Sequence, residues 1–414
     1  AEVQARESMG GEFFYRFHFQ LQMPYPWGRW LSTIAAMVMF VALITGIITH
    51  KKIFKDFFTF RPRKGQRSWL DGHNAVGVLV LPFHLMITYS SLVIFMSMVM
   101  PASILASYGN NVRAFYDEVF PAANVPEPAG QPATLAPLAP LLRSASEQWS
   151  GGHVGRISVN NPGDANASVV MSRAGSDRVV NDAGSAVTFN GVSGQIIGTP
   201  SQQPMAMAVA GSFYGLHMGH FAGPVLRWLY FICGLAGTAM IGTGLVIWLG
   251  KRQLKHAKTG VMPFELRLVE VLNIASMAGL VAAVAVFFWA NRLLPVSLVG
   301  RDDWEVNAFF ITWGLSVVHA LFRPGRRAWV EQLSLGAALF VAVPLLNGLT
   351  SPYHLGVTVP EGDWVLAGFD LTCLGSGLFL AWAARKMQRA GHTVSVKKTA
   401  REKARPITLE QGAN

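Results

Sequence analysis

The sequence predicts an all-α polytopic membrane bundle that carries a small α+β domain outside the membrane. Of its 414 residues, 51% are hydrophobic and only 14% are charged, a balance that a soluble domain of this length does not need. Seven apolar segments are long enough to cross a bilayer, and a long stretch between the second and the third has no such segment. The seven segments lie at about residues 29–49, 73–100, 221–249, 266–290, 305–322, 328–349 and 364–384.

Lysine and arginine collect on one face of the predicted bundle. They follow the first, third and fifth apolar segments, and the chain after the seventh segment repeats the pattern. Because basic loops stay in the cytoplasm, the soluble domain is expected on the opposite side of the membrane. The net charge of +11 is thereby explained as an orientation signal, and we expect no nucleic-acid partner.

The soluble domain is recognised by a helix pattern followed by short β patterns. The helical stretch LAPLLRSASEQW precedes β-like runs at His153–Val159, Ala167–Met171 and Ala186–Phe189 and a turn at Asn190–Gly194. This topology places residue 1 outside, so we expect either a cleaved segment or an upstream helix ahead of it, and we favour the helix. We divide the chain into an outer pre-helix segment (1–28), a transmembrane pair (29–100) with a basic loop (51–67), an outer linker (101–134), the outer α+β domain (135–212), a five-span bundle (213–385) and a basic cytoplasmic tail (386–414).

Several histidines lie within or beside the apolar segments. His73 and His84 share the run GHNAVGVLVLPFHLMITY, and His50 ends the first span at the level of His73. Eleven residues make about three helical turns, so His73 and His84 should project from one face about 16 Å apart. Ionisable side chains in a bilayer are costly and imply a bound partner. Imidazole ligates iron while neutral, which makes haem the leading candidate for that partner.

A repeated motif carries two further histidines. FFYRFH, ending at His18, is followed by GRWL and Thr-Gly, and FYGLH, ending at His217, is followed by RWL and Thr-Gly. Repeated halves of membrane proteins often share a site, so His18 and His217 are predicted to bind one centre near the outer surface, with His220 as a substitute for His217. Alternatively, the repeat reflects similar packing of two helices. Arg29 and Arg227 either pair with haem propionates or anchor the helix ends.

Helix rise places His84 about 20 Å below His217, so we expect His84 to be either a ligand with a distant partner or a hydrogen-bonded core residue. Asp370 is an intramembrane acid, read either as a proton site or as a partner of Arg292 or Arg301. Surface or capping roles are expected for the remaining histidines, His153, His256, His319, His354 and His392. Phosphate-binding and dinucleotide motifs are absent from the sequence, so electrons would come from a membrane quinol or a separate reductase.

Three segments closely resemble the PepSY-associated transmembrane proteins of Gram-negative inner membranes, some of which are ferric-siderophore reductases. These segments are FFYRFHFQLQ, GIITHKKIFKDFFTFRPRKGQRSWLDGHNAVGVLVLPFHLMITYSSLV and FYGLHMGHFAGPVLRWLYFICGLAG. The resemblance implies a multi-pass protein of the bacterial inner membrane with a periplasmic PepSY domain at Leu135–Gly198. Relatives usually carry a histidine-bearing helix and a first PepSY domain ahead of the segment like Phe13–His18. Gln22 stands where relatives often have a second histidine.

We therefore predict a haem-containing electron-transfer protein, an oxidoreductase that reduces a periplasmic ferric siderophore or ferric chelate for iron acquisition. Its partners are the lipid bilayer, an electron donor such as quinol or a separate reductase, and the ferric chelate. Two alternatives stay open: a proton-coupled transporter, and a non-catalytic scaffold or peptidase regulator that acts through the PepSY domain. One or two b-type haems are expected, with iron ligands drawn from His73, His84, His217 and His18 and further haem contacts from His50, His220, Arg29 and Arg227.

Overall fold

The computed structural model describes residues 6–50, 52–58, 66–119, 125–180, 186–199, 205–256, 261–323 and 325–403. The chain divides into two compact units, which we call the central unit (Phe19–Met240) and the C-terminal unit (Ala1–His18 with Ile241–Asn414). The helices are α1 (Gly10–Gln20), α2 (Trp27–Thr49), α3 (Ile53–Phe57), α4 (Gln66–Leu79), α5 (Leu81–Ile94), α6 (Met96–Val99), α7 (Ala102–Tyr108), α8 (Val112–Val119), α9 (Leu138–Gln148), α10 (Met205–Met218), α11 (Pro224–His256), α12 (Phe264–Ile274), α13 (Leu280–Leu293), α14 (Arg301–Phe322), α15 (Arg326–Thr350), α16 (Leu355–Thr358) and α17 (Trp364–Lys403). A π-helical turn, Ala275–Gly279, joins α12 to α13, and the strands are β1 (Val154–Asn160), β2 (Ser168–Arg173), β3 (Val187–Asn190) and β4 (Ile196–Gly198).

Six helical segments in the described part of the chain are long and apolar enough to cross a membrane, and a bent pair makes a seventh if it is counted as one span. They are Trp27–Thr49, Pro224–His256, Phe264–Leu293, Arg301–Phe322, Arg326–Thr350 and Trp364–Arg389, and the pair is Leu70–Leu79 with Leu81–Ile94. The predicted helical membrane bundle with a small α+β domain is confirmed. Helix α17 continues to Lys403, into the region predicted as a basic tail, and residues 404–414 lie outside the described residues.

The second predicted span is bent rather than straight. The chain bends by 62° between the two helices of the pair, at Val80. Pro82 lies in the first turn of α5, where a missing N–H is tolerated, and its ring disfavours a continuous helix through the residues before it. The prediction that His73 and His84 project from one face of a single helix is therefore wrong, because the bend lies between them.

The soluble part of the central unit is an antiparallel sheet covered by one helix. The strand order is β1-β2-β3-β4, and α9 packs on the sheet through Leu141, Ala145 and Trp149. Three strands lie within one or two residues of the predicted runs, whereas the three-residue β4 was not predicted because it is too short to show a pattern. In the predicted turn, the Asn190 side-chain oxygen accepts from the main-chain N–H groups of Val192 (2.9 Å) and Ser193 (2.8 Å).

Part of the predicted linker belongs to this soluble domain. The carboxylate of Asp164 accepts hydrogen bonds from the main-chain N–H groups of Ala129 and Gly130, both at 2.8 Å. These and further main-chain N–H groups hold the pKa of Asp164 below its usual value. Residues 129–130 are thereby tied to the turn after β1. Residues 101–119 form α7 and α8, and residues 120–124 lie outside the described part of the chain.

The C-terminal unit is a helical bundle whose aromatic core includes α1. Phe13 is fully buried, stacks on Phe287 with ring centroids 4.8 Å apart, and meets Phe309 edge-on at 4.9 Å. Edge-to-face and offset aromatic pairs stabilise such cores beyond the area that they bury. Residues 10–18, which were predicted as an outer segment ahead of the first span, are therefore part of the packed bundle.

Candidate functional site

His84 is the most deeply buried of the predicted ligands. It lies on α5 with 3% of its surface exposed, and its ring is hydrogen-bonded to the main chain of Cys233 on α11. A Cβ atom at Gly237, one turn along α11, would come within 2.3 Å of the His84 Nε2 atom. Only glycine at this position lets the imidazole rest directly against the backbone of α11.

The second nitrogen of His84 is a buried polar atom without a partner. Among the described residues, no hydrogen-bond partner reaches Nδ1. A carbonyl oxygen can only accept, so the hydrogen bond to Cys233 makes Nε2 the protonated nitrogen and leaves the lone pair on Nδ1. An unsatisfied buried polar group costs about 1–3 kcal/mol, and a bound ion or ligand is one common reason for it.

His217 is held by two groups of α5. Its Nδ1 atom lies 3.1 Å from the carbonyl oxygen of Ile87 and 2.9 Å from the hydroxyl of Ser90. Because the carbonyl only accepts, we assign the ring proton to Nδ1, so a metal would bind at Nε2. Metal-binding histidines usually donate their other ring nitrogen in this way, and that bond fixes the orientation of the ring.

His84 and His217 lie closer in height than the sequence suggested. The α5 residues that hold His217 follow His84 by three and six positions, which is about 4.5 and 9 Å along a helix. The expected separation of about 20 Å is wrong, because it assumed that the chain rises continuously from His217 into the third span. Instead α10 ends at Met218, a turn follows, and α10 packs along α5 while α11 starts anew at Pro224.

His73, like His84, is hydrogen-bonded to the main chain of α11. It is half-buried on α4 and is hydrogen-bonded to the main chain of Met240. The Met240 sulfur lies 3.1 Å from where a Cβ of Gly77 would stand. Cys233, Gly237 and Met240 are spaced four and three residues apart, so one face of α11 contacts α4 and α5. Sequence reasoning missed Met240, because a methionine in an apolar run looks like any other packing residue.

The other predicted histidines have more open surroundings. His18 is exposed in the last turn of α1 and belongs to the C-terminal unit, and His50 is exposed where α2 ends. His220 is exposed in the turn between α10 and α11, with its ring 3.2 Å from where a Cβ of Gly175 in the soluble domain would stand. His217 is therefore hydrogen-bonded to α5, whereas His220 lies beside Gly175 of the soluble domain. Whether His18 and His217 share one centre stays a prediction.

Arg29 and Arg227 both fasten the turn that precedes their helix. The Arg29 Nε atom donates to the Gln20 side chain at 3.1 Å, and its guanidinium lies 5.2 Å from the ring centres of Phe19 and Tyr25. The Arg227 Nε atom donates to the Ala222 carbonyl at 2.8 Å. These contacts support the anchoring interpretation of the repeated arginines, and pairing with haem propionates stays a prediction.

Two polar clusters lie in the C-terminal unit. Arg301 and Glu305 are fully buried and paired at 2.6 Å, so Arg301 is not the partner of Asp370. Asp370 is 2% exposed and accepts a hydrogen bond of 2.5 Å from the Asn347 amide. His354 caps α16, as predicted, by accepting from the Gly356 N–H. His319, for which a surface or capping role was expected, is partly exposed and pairs with Glu331 beside a cavity.

Residues 2–251 match the family model of the PepSY-associated TM region, which is more than half of the chain. The chain belongs to this family. No curated protein matches the sequence. The matched region of this PepSY-associated transmembrane protein includes His18, His73, His84 and His217, whereas α12 to α17 lie beyond it.

Proposed function

We propose that this PepSY-associated transmembrane protein binds haem in its central unit and passes electrons outward to a periplasmic ferric chelate. The observation that carries the proposal is His84, an imidazole 97% buried whose Nδ1 lone pair has no partner among the described residues. A buried neutral imidazole with one nitrogen anchored and the other open has the donor character that haem iron requires. In the described part of the chain no three His, Cys, Asp or Glu side chains converge, whereas haem iron needs only two axial ligands.

The chain's own residues support a site between α4, α5, α10 and α11. His84 is oriented by the Cys233 carbonyl and His217 by the Ile87 carbonyl, so both rings are fixed before any ligand arrives. Both rings lie on apolar helices, where a charged side chain is costly. When bound, haem would relay single electrons, and its reduction potential would depend on the axial ligands and on burial.

The soluble domain supports outward transfer. His220 lies three residues after His217 and contacts the β2–β3 connection at Gly175, so the helix that carries one predicted ligand leads directly to the soluble domain. The basic loops predict that this domain is periplasmic. Reduction of Fe(III) to Fe(II) weakens a chelate of hard oxygen ligands and releases the metal.

The first test is the absorption spectrum of the purified full-length protein before and after dithionite. We expect a reduced b-type spectrum, and we expect His84→Ala to lose haem from one component while the protein remains inserted and folded. His153→Ala is the matched control, because that side chain is 83% exposed in the soluble domain. A colourless, folded preparation after expression with added haem would falsify the proposal.

A transporter is the second candidate, and one observation favours it. Asp370 and Asn347 form a buried polar pair beside a cavity of about 410 Å³ that Asn347, Arg292 and Phe288 help to line. Intramembrane acids of this kind often carry protons in transporters. Proton flux into liposomes that contain the protein, followed with a pH-sensitive dye, tests this function. Flux that Asp370→Asn abolishes, in a haem-free protein, would support transport over electron transfer.

A further inference from the structure

A second cavity, of about 580 Å³, opens beside His319 in the C-terminal unit. Its polar lining consists of the buried Ser316 and Gln332 and the partly exposed His319 and Glu331, with Arg323 beside them. Its apolar lining includes Leu315 and Leu335, which are 61% and 51% exposed. Exposed leucines on membrane-spanning helices face lipid, so a ligand dissolved in the bilayer can enter from the side. The volume lies within the range of sites for small organic ligands.

The polar lining presents a built hydrogen-bonding site. Gln332 is 4% exposed, its amide donates to the Ser316 carbonyl at 2.7 Å, and its Oε1 atom has no partner within the described ranges. This atom is a buried acceptor that a hydroxyl group of a ligand would satisfy. A Cβ at Gly279, in the π-helical turn, would stand 2.1 Å from the Ser316 hydroxyl and 3.0 Å from Gln332 Oε1. Only glycine at this position therefore lets both side chains approach the turn. Single π-turns are frequent at functional sites.

His319 joins Glu331 to Gln332 through its two ring nitrogens. Its Nε2 atom lies 2.9 Å from the Glu331 carboxylate, and its Nδ1 atom lies 3.2 Å from the Gln332 amide nitrogen. The carboxylate only accepts, so Nε2 carries the ring proton and the Nδ1 lone pair accepts a hydrogen bond from the Gln332 amide. A proton can reach Nδ1 once that hydrogen bond is released, and it would then lie on a ring that contacts the Glu331 carboxylate, which Arg323 also binds.

From these contacts we propose that the cavity binds the headgroup of a membrane quinol, with Gln332 Oε1 accepting from its hydroxyl and His319 accepting its proton. The inference rests on the proposed electron-transfer function, for which the expected donors are a membrane quinol and a separate reductase. One quinol loses two protons and two electrons and becomes quinone. His319 would accept one proton and water at this half-exposed pair the other, and haem in the central unit, when bound, would supply the one-electron acceptor.

The binding test uses the full chain in lipid nanodiscs and two probes, decylubiquinone and an azido-quinone that cross-links on illumination. We expect adducts within residues 312–335 that excess decylubiquinone suppresses. Adducts elsewhere, or adducts that decylubiquinone does not suppress, contradict the proposal. Occupation of the cavity by phospholipid alone, detected by native mass spectrometry with no displacement by decylubiquinone, also overturns it.

A matched pair of variants locates the entrance. Leu315→Trp should block the cavity mouth and weaken decylubiquinone binding by about tenfold or more, which is about 1.4 kcal/mol. Val318→Trp adds the same bulk on the same helix at a residue that is 46% exposed and does not line the cavity, so it should leave binding unchanged. Equal affinities for the two variants overturn the site.

Haem content of the same preparations separates the two proposals. A coloured protein that binds no decylubiquinone would contradict the quinol site and leave the proposed haem function supported. A colourless protein that binds decylubiquinone in the cavity would support the quinol site and contradict the haem function. In coloured protein, His319→Gln should retain the cross-link and slow haem reduction by decylubiquinol, and rescue of that rate by added imidazole would mark His319 as the proton acceptor.

Discussion

The two copies of the repeated motif share a local fold but place their histidines in different surroundings. In each copy a short helix leads through a turn into a long apolar helix, first α1 into α2 and then α10 into α11. His18 and His217 each lie in the last turn of the short helix. His18 is exposed there, whereas His217 is bound through Nδ1 to α5.

The long helices differ in the same direction. Aligned on Arg29 and Arg227, the position of Gly237 in α11 corresponds to Met39 in α2, and Met240 corresponds to Ala42. Only the second copy therefore combines a bare backbone position with contacts to His73 and His84. The repeated residues therefore specify the helix–turn–helix shape, whereas the histidine environment comes from residues that differ between the two copies.

The largest effect is expected at Gly237. Gly237→Ala places a Cβ 2.3 Å from His84 Nε2, so the imidazole or α11 must move, with an expected destabilisation of about 1–3 kcal/mol and loss of one haem component. Gly234→Ala is the matched control, because nothing lies within 4 Å of its Cβ position. That change should stabilise the helix by up to about 1 kcal/mol. Thermal unfolding and the haem-to-protein ratio measure both effects, and equal behaviour of the two variants would contradict the close packing of His84 on Gly237.

The second prediction compares the two histidines of the repeat directly. If His18 and His217 bind one iron, His18→Ala and His217→Ala remove the same spectral component, and the double variant loses no more than either single one. His217→Ala should also lower stability by about 1 kcal/mol, because it deprives the α5 carbonyl and hydroxyl of a partner. Redox potentiometry that shows two different components disappearing would mean that the symmetry of the motif does not extend to a shared iron.

Sequence patterns predicted the parts of the fold that depend on periodicity and length. The membrane spans, the soluble helix and three of its strands follow from apolar runs and turn residues, and they are confirmed. The 62° bend between α4 and α5 was missed, although Pro82 is its visible cause. A proline near a predicted helix middle can end, bend or merely start a new turn, and neighbouring helices decide which.

The candidate site was predictable only in its residue types. Ionisable side chains in apolar segments drew attention to His73, His84 and His217, because such groups are costly in a bilayer. Their partners were not visible, because Cys233, Gly237 and the carbonyl of Ile87 act through backbone geometry. The pair of His319 and Glu331 was missed for a different reason. Its two members lie on separate helices, twelve residues apart, and meet only when α14 and α15 pack antiparallel.

The two repeated arginines, Arg29 and Arg227, are expected to have the same role. In the anchoring interpretation, Arg29→Gln and Arg227→Gln each loosen the turn before a long helix and lower stability by about 1 kcal/mol, without changing the haem spectrum or potential. Similar losses in thermal unfolding would extend the symmetry of the two copies from shape to energetics. A shifted midpoint potential in either variant would instead favour pairing with a haem propionate.

The smallest effect is expected in the contact between the second copy and the soluble domain. Asp177 lies two residues after Gly175, the residue beside His220, and its carboxylate binds the His153 ring at 2.9 Å. The hydrogen bonds from His153 and from Arg173 lower the pKa of Asp177 from 3.8 to about 2. Because the folded-state pKa is the lower one, this stabilisation is complete above about pH 4 and is lost as the pH falls through about 2.

Hydrogen exchange measures this loss along the chain. We expect amide exchange in residues 174–180 to accelerate below pH 4, relative to the intrinsic rate, while the turn between α1 and α2 shows no such acid-dependent change. Asp177→Asn should remove most of the pH dependence, because the amide cannot ionise, and should leave the loop partly open at neutral pH. If the variant and the natural protein respond alike to acid, another carboxylate closes the loop. The most direct alternative is then Asp164, whose hydrogen bonds hold a different part of the same domain.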